Sequence, residues 1–163
     1  MKHTISVLVE NRAGVLSHIS GLFSRRGFNI DSLAVGETED RDVSRMTIVA
    51  DGDDYMVEQI EKQLNKMIDV IKVRTVANED LIRRELMLIK VSCTAKNRGE
   101  ITDVAKIMNA KIVDITKDTL TIEIADRPNR LDLLIELMRP YHIQEVSRTG
   151  TIALQRGSSI IGK

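Results

Sequence analysis

The alternation of strand-like and helix-like segments limits the fold of this chain more than any other feature. Residues 4–10 alternate apolar and polar side chains as a half-buried strand does, and from Ala13 the apolar residues recur with helical spacing. Gly27 has the position of a helix C-cap after two arginines. The later segments of the first half are strand patterns at 28–36 and 44–50, a helical stripe at 57–67 and a strand pattern at 69–76.

The same order recurs after a polar connection at 78–84. The segments of the second half are a strand pattern at 85–94, a helical stripe at 101–108, strand patterns at 111–116 and 120–125, a helix that begins near Pro128, and a final strand at 142–147. Each half has about 75 residues, near the lower limit for an independent core. The repeated β-α-β-β-α-β order predicts an α+β protein of two ferredoxin-like domains in tandem, at 1–77 and 84–163.

An antiparallel sheet with helices on one face leaves its other face uncovered. Four apolar residues are predicted to lie on that second face of the first domain: Leu8, Leu33, Val35 and Val49. Exposed apolar sheet residues indicate an oligomer. The alternative is that they are scattered surface side chains.

Composition argues against several classes of protein. The 24 basic and 24 acidic residues give no net charge, so the chain lacks the basic character of a nucleic-acid or membrane-surface protein. Cys93 is the only cysteine, which excludes an internal disulfide and a cysteine zinc cluster, and the three histidines lack metal-ligand spacing. We expect a cytoplasmic protein, because there is also no apolar run typical of a signal peptide or a membrane span.

The most informative local motif is the turn at residues 10–16, Glu-Asn-Arg-Ala-Gly-Val-Leu, between the first strand and the first helix. Asn11 has two interpretations: its oxygen caps the helix, or its amide donates to a ligand carboxylate. Gly14 lacks a Cβ, so a ligand or another chain has access to the backbone. The unpaired amides of the first helical turn favour a small anion, such as an amino-acid carboxylate. An ordinary helix cap is the alternative.

Asn29 is a second candidate, at the start of the second strand. The start and end of one helix are opposite poles of a β-α-β unit, so Asn29 does not reach the Asn11 turn of its own chain. Pairing of second strands across a two-fold axis would bring it to the Asn11 turn of a neighbouring chain. This predicts a ligand site shared between two subunits.

Several runs resemble the ACT domain of the regulatory small subunit of acetohydroxyacid (acetolactate) synthase. They include residues 5–16, residues 44–49 and, most specifically, the run Gly21-Leu-Phe-Ser-Arg-Arg-Gly-Phe-Asn-Ile-Asp-Ser-Leu33. Segments from 59–66, 70–73, 84–91 and 145–150 are also similar. The resemblance is dense from 5 to 92 and looser from 93 to 142.

The resemblance implies a non-catalytic subunit of a transferase in branched-chain amino-acid biosynthesis. It would form a homodimer, activate a large subunit that carries thiamine diphosphate, FAD and Mg, and confer feedback inhibition by valine bound between two ACT domains. Arg12 adds a charge beside that site. The effector-binding residues implied by position are Asn11, Ala13, Gly14, Val15, Leu16, Ser17, Asn29, Ile30, Leu33, Ala34 and Val35.

Three other functions remain open from the residues alone. One is a stand-alone ACT protein that senses a small molecule. Another is an acylphosphatase-type enzyme that uses Arg12 or Arg45 on an anion, although the glycine-rich phosphate loop of that family is missing. The third is an RNA-binding module of the same topology, which needs exposed strand aromatics that four aromatic residues hardly supply.

Overall fold

A computed structural model describes residues 1–162 of the chain, which fold into two compact units. One unit comprises residues 1–82 and the C-terminal segment that starts at Thr151, and the other comprises residues 83–150. The predicted domain 84–163 and the second unit therefore end at different residues. The elements are β1 (Lys2–Glu10), α1 (Val15–Arg26), β2 (Ile30–Glu37), β3 (Val43–Asp51), α2 (Asp54–Leu64), β4 (Val70–Val76), β5 (Leu81–Ser92), α3 (Arg98–Ile107), β6 (Lys111–Ile115), β7 (Thr119–Asp126), α4 (Pro128–Met138), β8 (Ile143–Arg148) and β9 (Ile152–Gln155), with short 3-10 helices at Asn78–Asp80 and Arg139–Tyr141.

The first unit has the predicted β-α-β-β-α-β order and an antiparallel sheet with the strand order β2-β3-β1-β4. Gly27 ends α1 with a left-handed backbone (φ 69°), as predicted. Asp53 begins α2 by accepting a hydrogen bond from the Met56 amide at 2.8 Å. The helices cover one sheet face. The buried core of this layer comprises Ile5, Val7, Val9, Val15, Ile19, Leu22, Phe23, Met46, Ile48, Ala50, Ile60 and Leu64.

The prediction that Leu33 and Val35 lie on the face away from the helices is wrong. Leu33 lies opposite Ile48, and Val35 lies opposite Met46, two residues of the helix-covered core. Directly opposed residues share a sheet face, so Leu33 and Val35 face the helices as well. The register between β2 and β3 shifts just after Ile30, and an extra residue of this kind reverses the alternation of side chains.

Leu8 and Val49 do lie on the face away from the helices, but they are buried, at 5% and 8% exposure. The prediction of an exposed apolar face therefore fails for these two residues as well. Neighbouring polar residues of β1 and β3, including Thr4, Ser6 and Thr47, are equally buried. This face therefore gives no indication of an oligomer.

The C-terminal segment, residues 151–162, runs along this face of the first unit. The Thr151 amide donates to Ser32 Oγ at 2.9 Å, and the Ala153 carbonyl accepts from Arg45 Nη2 at 2.9 Å. Its strand β9 pairs with β5, whose first two residues belong to the same unit. The segment closes part of the sheet face that the sequence pattern leaves uncovered.

The second unit repeats the β-α-β-β-α-β order, as predicted, with β5, β6, β7 and β8 in the order β6-β7-β5-β8. Pro128 is the first residue of α4, where its missing N–H costs no helical hydrogen bond. Cys93 is buried in this core. Within residues 1–162 no helix is long and apolar enough to cross a membrane.

Candidate functional site

The β1–α1 turn depends on a glycine with a left-handed backbone. Gly14 stands at the N-cap of α1 with φ 88° and ψ −13°. Only glycine adopts such a conformation without steric cost. A Cβ built on Gly14 meets no atom within 4 Å, so the space outside this part of the turn is open.

Asn11 does not cap the helix, so the predicted capping role is wrong. Its Nδ2 donates to the Arg41 carbonyl at 2.8 Å and to Glu37 Oε1 at 3.3 Å, and its backbone amide donates to the Asp42 carbonyl at 2.8 Å. These bonds join the turn to the loop between β2 and β3. Within residues 1–162 the Oδ1 atom of Asn11 has no hydrogen-bond donor, and α1 has no side-chain cap.

The first turn of α1 leaves backbone donors free. The first i→i−4 hydrogen bond runs from His18 N to the Gly14 carbonyl, and the Val15 amide makes only a long contact of 3.5 Å to the Arg12 carbonyl. The amides of Leu16 and Ser17 have no backbone acceptor within residues 1–162. No acidic side chain occupies this turn, so the positive end of the helix dipole has no local counter-charge.

Ion pairs beside the turn neutralise the charge that Arg12 adds. Arg12 Nη2 contacts Glu10 and lies 2.8 Å from Asp69 Oδ1. Asp69 also lies 3.3 Å from Nδ1 of the exposed His18. An open depression of about 330 Å³ adjoins this cluster and is lined in part by Asn11 and Ile71.

The predicted residues of the second group belong to an edge strand. Asn29 is exposed just before β2, and its Nδ2 donates to Asp31 Oδ1 at 2.7 Å. Within residues 1–162, β2 pairs only with β3. Helix α1, with 12 residues, separates Asn29 from the turn by about 18 Å along its axis at 1.5 Å per residue.

The predicted site residues therefore form two clusters in one chain. The turn cluster comprises Asn11, Ala13, Gly14, Val15, Leu16 and Ser17, and the strand cluster comprises Asn29, Ile30, Leu33, Ala34 and Val35. Val15 is 3% exposed, so only its backbone is available to a ligand, whereas Leu16 and Val35 are 46% and 47% exposed.

Sequence reasoning missed the partners that hold the turn in place. Glu37, Arg41 and Asp69 all contact it, and all three come from loops or loop edges distant in sequence. The acidic composition of the hairpin at 37–42 is visible in the sequence. Glu37 of this hairpin lies 26 residues from Asn11 in sequence. Their contact follows only from the pairing of β1 with β3.

Two ferredoxin-like patterns in tandem, the first with unpaired backbone amides at the start of its first helix, define an α+β protein of the ACT class. Comparison with known proteins agrees. Residues 5–72 match the family described as AHAS small subunit-like ACT domain, and residues 84–157 match the family described as small subunit of acetolactate synthase. The chain belongs to the acetolactate synthase small subunit family, so the resemblance drawn from the sequence is confirmed.

Individual relatives cover nearly the whole chain. It is 52% identical over 158 residues to a probable acetolactate synthase small subunit from Archaeoglobus fulgidus, covering 97% of this chain and 99% of that protein. It is 49% identical to the acetolactate synthase small subunit of Mycolicibacterium smegmatis, covering 98% and 94%. The crystal structure of the Thermotoga maritima small subunit superposes with a TM-score of 0.90 at 37% identity, covering 98% and 99% of the two chains.

Proposed function

We propose that this chain is the regulatory subunit that binds the catalytic large subunit of acetolactate synthase, raises its activity and makes it sensitive to valine. Valine would bind between the ACT units of a homodimer, in the cytoplasm. The thiamine diphosphate, FAD and Mg of the reaction would belong to the large subunit. The observation that carries the proposal is the β1–α1 turn, with free amides beside Gly14 at the positive end of α1.

The turn has the chemistry that a carboxylate needs. Free backbone N–H groups at a helix N-terminus donate hydrogen bonds to an anion, and the helix dipole favours its charge. Arg12 does not compete for the carboxylate, because Glu10 and Asp69 already hold it. The free Oδ1 of Asn11 is an acceptor for an ammonium group.

The edge strand explains how a second subunit would complete the pocket. β2 begins next to Asn29 and ends at Glu37, and Glu37 accepts a hydrogen bond from Asn11. Antiparallel pairing of two β2 strands brings the start of one beside the end of the other. Asn29 of one subunit would then lie beside the Asn11 turn of the second, which a single chain does not achieve.

The aliphatic side chain of the effector would lie against exposed apolar groups. Leu16 in the turn and Val35 in the edge strand are both nearly half exposed in the single chain. One methylene group changes binding in such a pocket by only about 1–3 kcal/mol. We therefore expect partial discrimination among valine, leucine and isoleucine.

Regulation requires that the effector bind one arrangement of the dimer better than another. The shift in the equilibrium is limited by the difference in affinity for the two arrangements. A pocket assembled from two subunits meets this condition, because any change in the pairing of the β2 strands changes the distance between its halves.

Two alternatives from the sequence fit the described residues poorly. For the acylphosphatase-type enzyme, Arg12 is already engaged by the acidic side chains of Glu10 and Asp69. For the RNA-binding module, the four aromatic residues of the chain lie outside the strands, in α1, α2, a 3-10 helix and the connection before β2. Within residues 1–162 no group of three or more metal-ligating side chains assembles.

Calorimetric titration of valine into the purified chain, together with reconstitution of the large subunit, tests the proposal. We expect heat of valine binding, stimulation of acetolactate formation on mixing, and inhibition by valine of the mixed complex only. Valine binding without stimulation would favour the stand-alone sensor. The absence of both valine binding and stimulation would refute the proposal.

The shared pocket has a separate test in mixed dimers. Asn11→Ala and Asn29→Ala homodimers would each lack one half of both pockets. A mixed dimer of the two variants would contain one pocket with both asparagines, so one of its two valine sites should recover. If mixing recovers none, the two asparagines do not meet across subunits.

A further inference from the structure

The first unit contains a cavity that is separate from the β1–α1 turn. It has a volume of about 220 Å³ and lies on the sheet face away from the helices. The sheet contributes Ser6, Arg45 and Arg74 to its lining, and the C-terminal segment contributes Leu154, Gln155 and Ile161. None of these residues belongs to the turn or to the β2 edge.

Two guanidinium groups flank Ser6 at the floor of this cavity. Arg45 Nη2 donates to Ser6 Oγ at 3.0 Å, and Arg74 lies opposite Ser6 in the register of β1 and β4. Both also hold the C-terminal segment, through the Ala153 carbonyl at 2.9 Å and the Ile160 carbonyl at 2.7 Å. The cavity is therefore a junction between the sheet and that segment.

No anion of the described chain balances these two cations. No acidic side chain lines the cavity, and within residues 1–162 neither Arg45 nor Arg74 forms an ion pair. Burial lowers the pKa of Arg45, and no carboxylate opposes that effect. A guanidinium has five N–H donors, and the bonds above engage only Nη2 of Arg45 and Nη1 of Arg74.

An unpaired buried donor marks the same place. Within residues 1–162 Arg45 Nε is buried without an acceptor, which an anion would supply. Buried polar atoms are paired in the great majority of cases, so such exceptions call for an explanation, such as an ion bound at the site. The rest of the lining includes the apolar residues Val76 and Leu81.

We propose that this cavity binds a small aliphatic carboxylate, held by Arg45 and Arg74, with its alkyl group against Val76 and Leu81. The cavity is smaller than the roughly 300–1,000 Å³ of sites for drug-sized ligands, so the ligand is a short-chain acid. Because the site joins the sheet to the C-terminal segment, an occupied site holds that segment in place. The proposal does not depend on valine binding at the turn.

Titration of isovalerate into the full-length chain, followed by calorimetry and by amide hydrogen exchange of residues 152–155, tests the site. Isovalerate lacks the ammonium group that an amino-acid pocket requires. We expect binding that saturating valine does not displace and slower exchange in β9, with the neutral isovaleramide at least about tenfold weaker. Equal binding of the amide, tighter binding of inorganic phosphate, or no binding of isovalerate at millimolar concentration would overturn the proposal.

Two variants separate the site from the general charge of the protein. Arg74→Gln removes one guanidinium and should weaken isovalerate about tenfold or more, whereas Arg25→Gln, in the last turn of α1, should leave it unchanged. Gln155→Glu places a carboxylate of the chain itself beside the guanidinium groups. It should abolish isovalerate binding and slow amide exchange in β9 without ligand. Unchanged binding in Gln155→Glu, or equal losses in the two arginine variants, contradicts the assignment.

Discussion

The two units share one order of elements but differ at the turn between their first strand and first helix. In the second unit, this turn closes on itself: the Thr94 amide donates to Asn97 Oδ1 at 2.7 Å, and the Asn97 amide contacts Thr94 Oγ1 at 3.3 Å. The Arg98 amide is satisfied by the Thr94 carbonyl at 3.0 Å. The first turn of α3 also contains an acidic residue, Glu100, whereas the first turn of α1 has none.

In the first unit, the equivalent turn directs its asparagine away from the helix. Asn11 bonds to the β2–β3 loop, and Gly14 takes the left-handed conformation at the N-cap, which leaves amides of the first turn free. The two turns therefore differ in local charge although the topology is the same. Glu100 already lies at the positive end of the α3 dipole, whereas the first turn of α1 has no acidic side chain.

The units also differ in the charges that surround one partly covered arginine side chain in each. In the second unit Arg148 forms two hydrogen bonds with the buried Glu85, at 2.7 and 2.9 Å, and one with Asp132 at 2.7 Å. The bonds with Glu85 are the main reason that the pKa of Arg148 is raised. Within residues 1–162 Arg45 of the first unit has no carboxylate partner, and burial lowers its pKa. One arginine is thus neutralised by two carboxylates, and the other is held by a hydroxyl and a carbonyl.

The largest expected effect is at Arg148, the arginine that is paired with Glu85 and Asp132. Arg148→Met should destabilise the second unit by roughly 3 kcal/mol, because it leaves the carboxylate of Glu85 buried without its partner. Amide hydrogen exchange in β5 and β7 measures this loss unit by unit. The double variant Arg148→Met, Glu85→Met should recover most of it, and a double variant as unstable as the single would show that packing, not charge, is responsible.

The second largest effect is expected at the β1–α1 turn, where backbone amides of the helix are unpaired. Gly14→Asp should weaken valine about a hundredfold, because it adds a negative charge beside the ligand carboxylate and strains a left-handed backbone. Calorimetry measures the affinity. Gly27→Ala introduces similar backbone strain at the other end of α1 (φ 69°) and should leave valine binding intact. Equal losses in both variants would place the cause in helix stability.

A smaller effect is expected at the edge strand. Asn29→Ala should weaken valine about tenfold, the size of one lost hydrogen bond to a charged group. Because Asn29 donates to Asp31, Asp31→Ala is the matched control for a change confined to that pair. If Asp31→Ala weakens valine as much as Asn29→Ala, Asn29 acts through its neighbour rather than on the ligand.

The smallest effect is expected at the turn before α3, in which Thr94 and Asn97 bond to each other. Thr94→Ala should cost about 1 kcal/mol of local stability by removing the hydroxyl that bonds Asn97. Amide exchange in α3 measures the cost. Valine affinity and valine inhibition should not change, and any change would mean that the second unit contributes to the effector response.

Much of the fold follows from local signals. Gly27, Asp53 and Pro128 stand at helix ends for reasons of backbone conformation, side-chain acceptance and a missing N–H. These depend on a few neighbouring residues, so periodicity and cap chemistry predict them. The candidate site is predicted in part: its residues are visible as two motifs, whereas the hydrogen bonds from Asn11 to Glu37 and Arg41 are not.

The sequence by itself determined the element order, the tandem repeat and the glycine at the turn, because each is encoded within one element or its ends. Only the tertiary structure decided which face Leu33 and Val35 occupy, since one extra residue in β2 reverses the alternation. It also decided that the C-terminal segment covers part of the first sheet, through contacts such as Arg45 to Ala153 across 108 residues. Local patterns carry no record of such distant pairing, which depends on the packing of the whole unit.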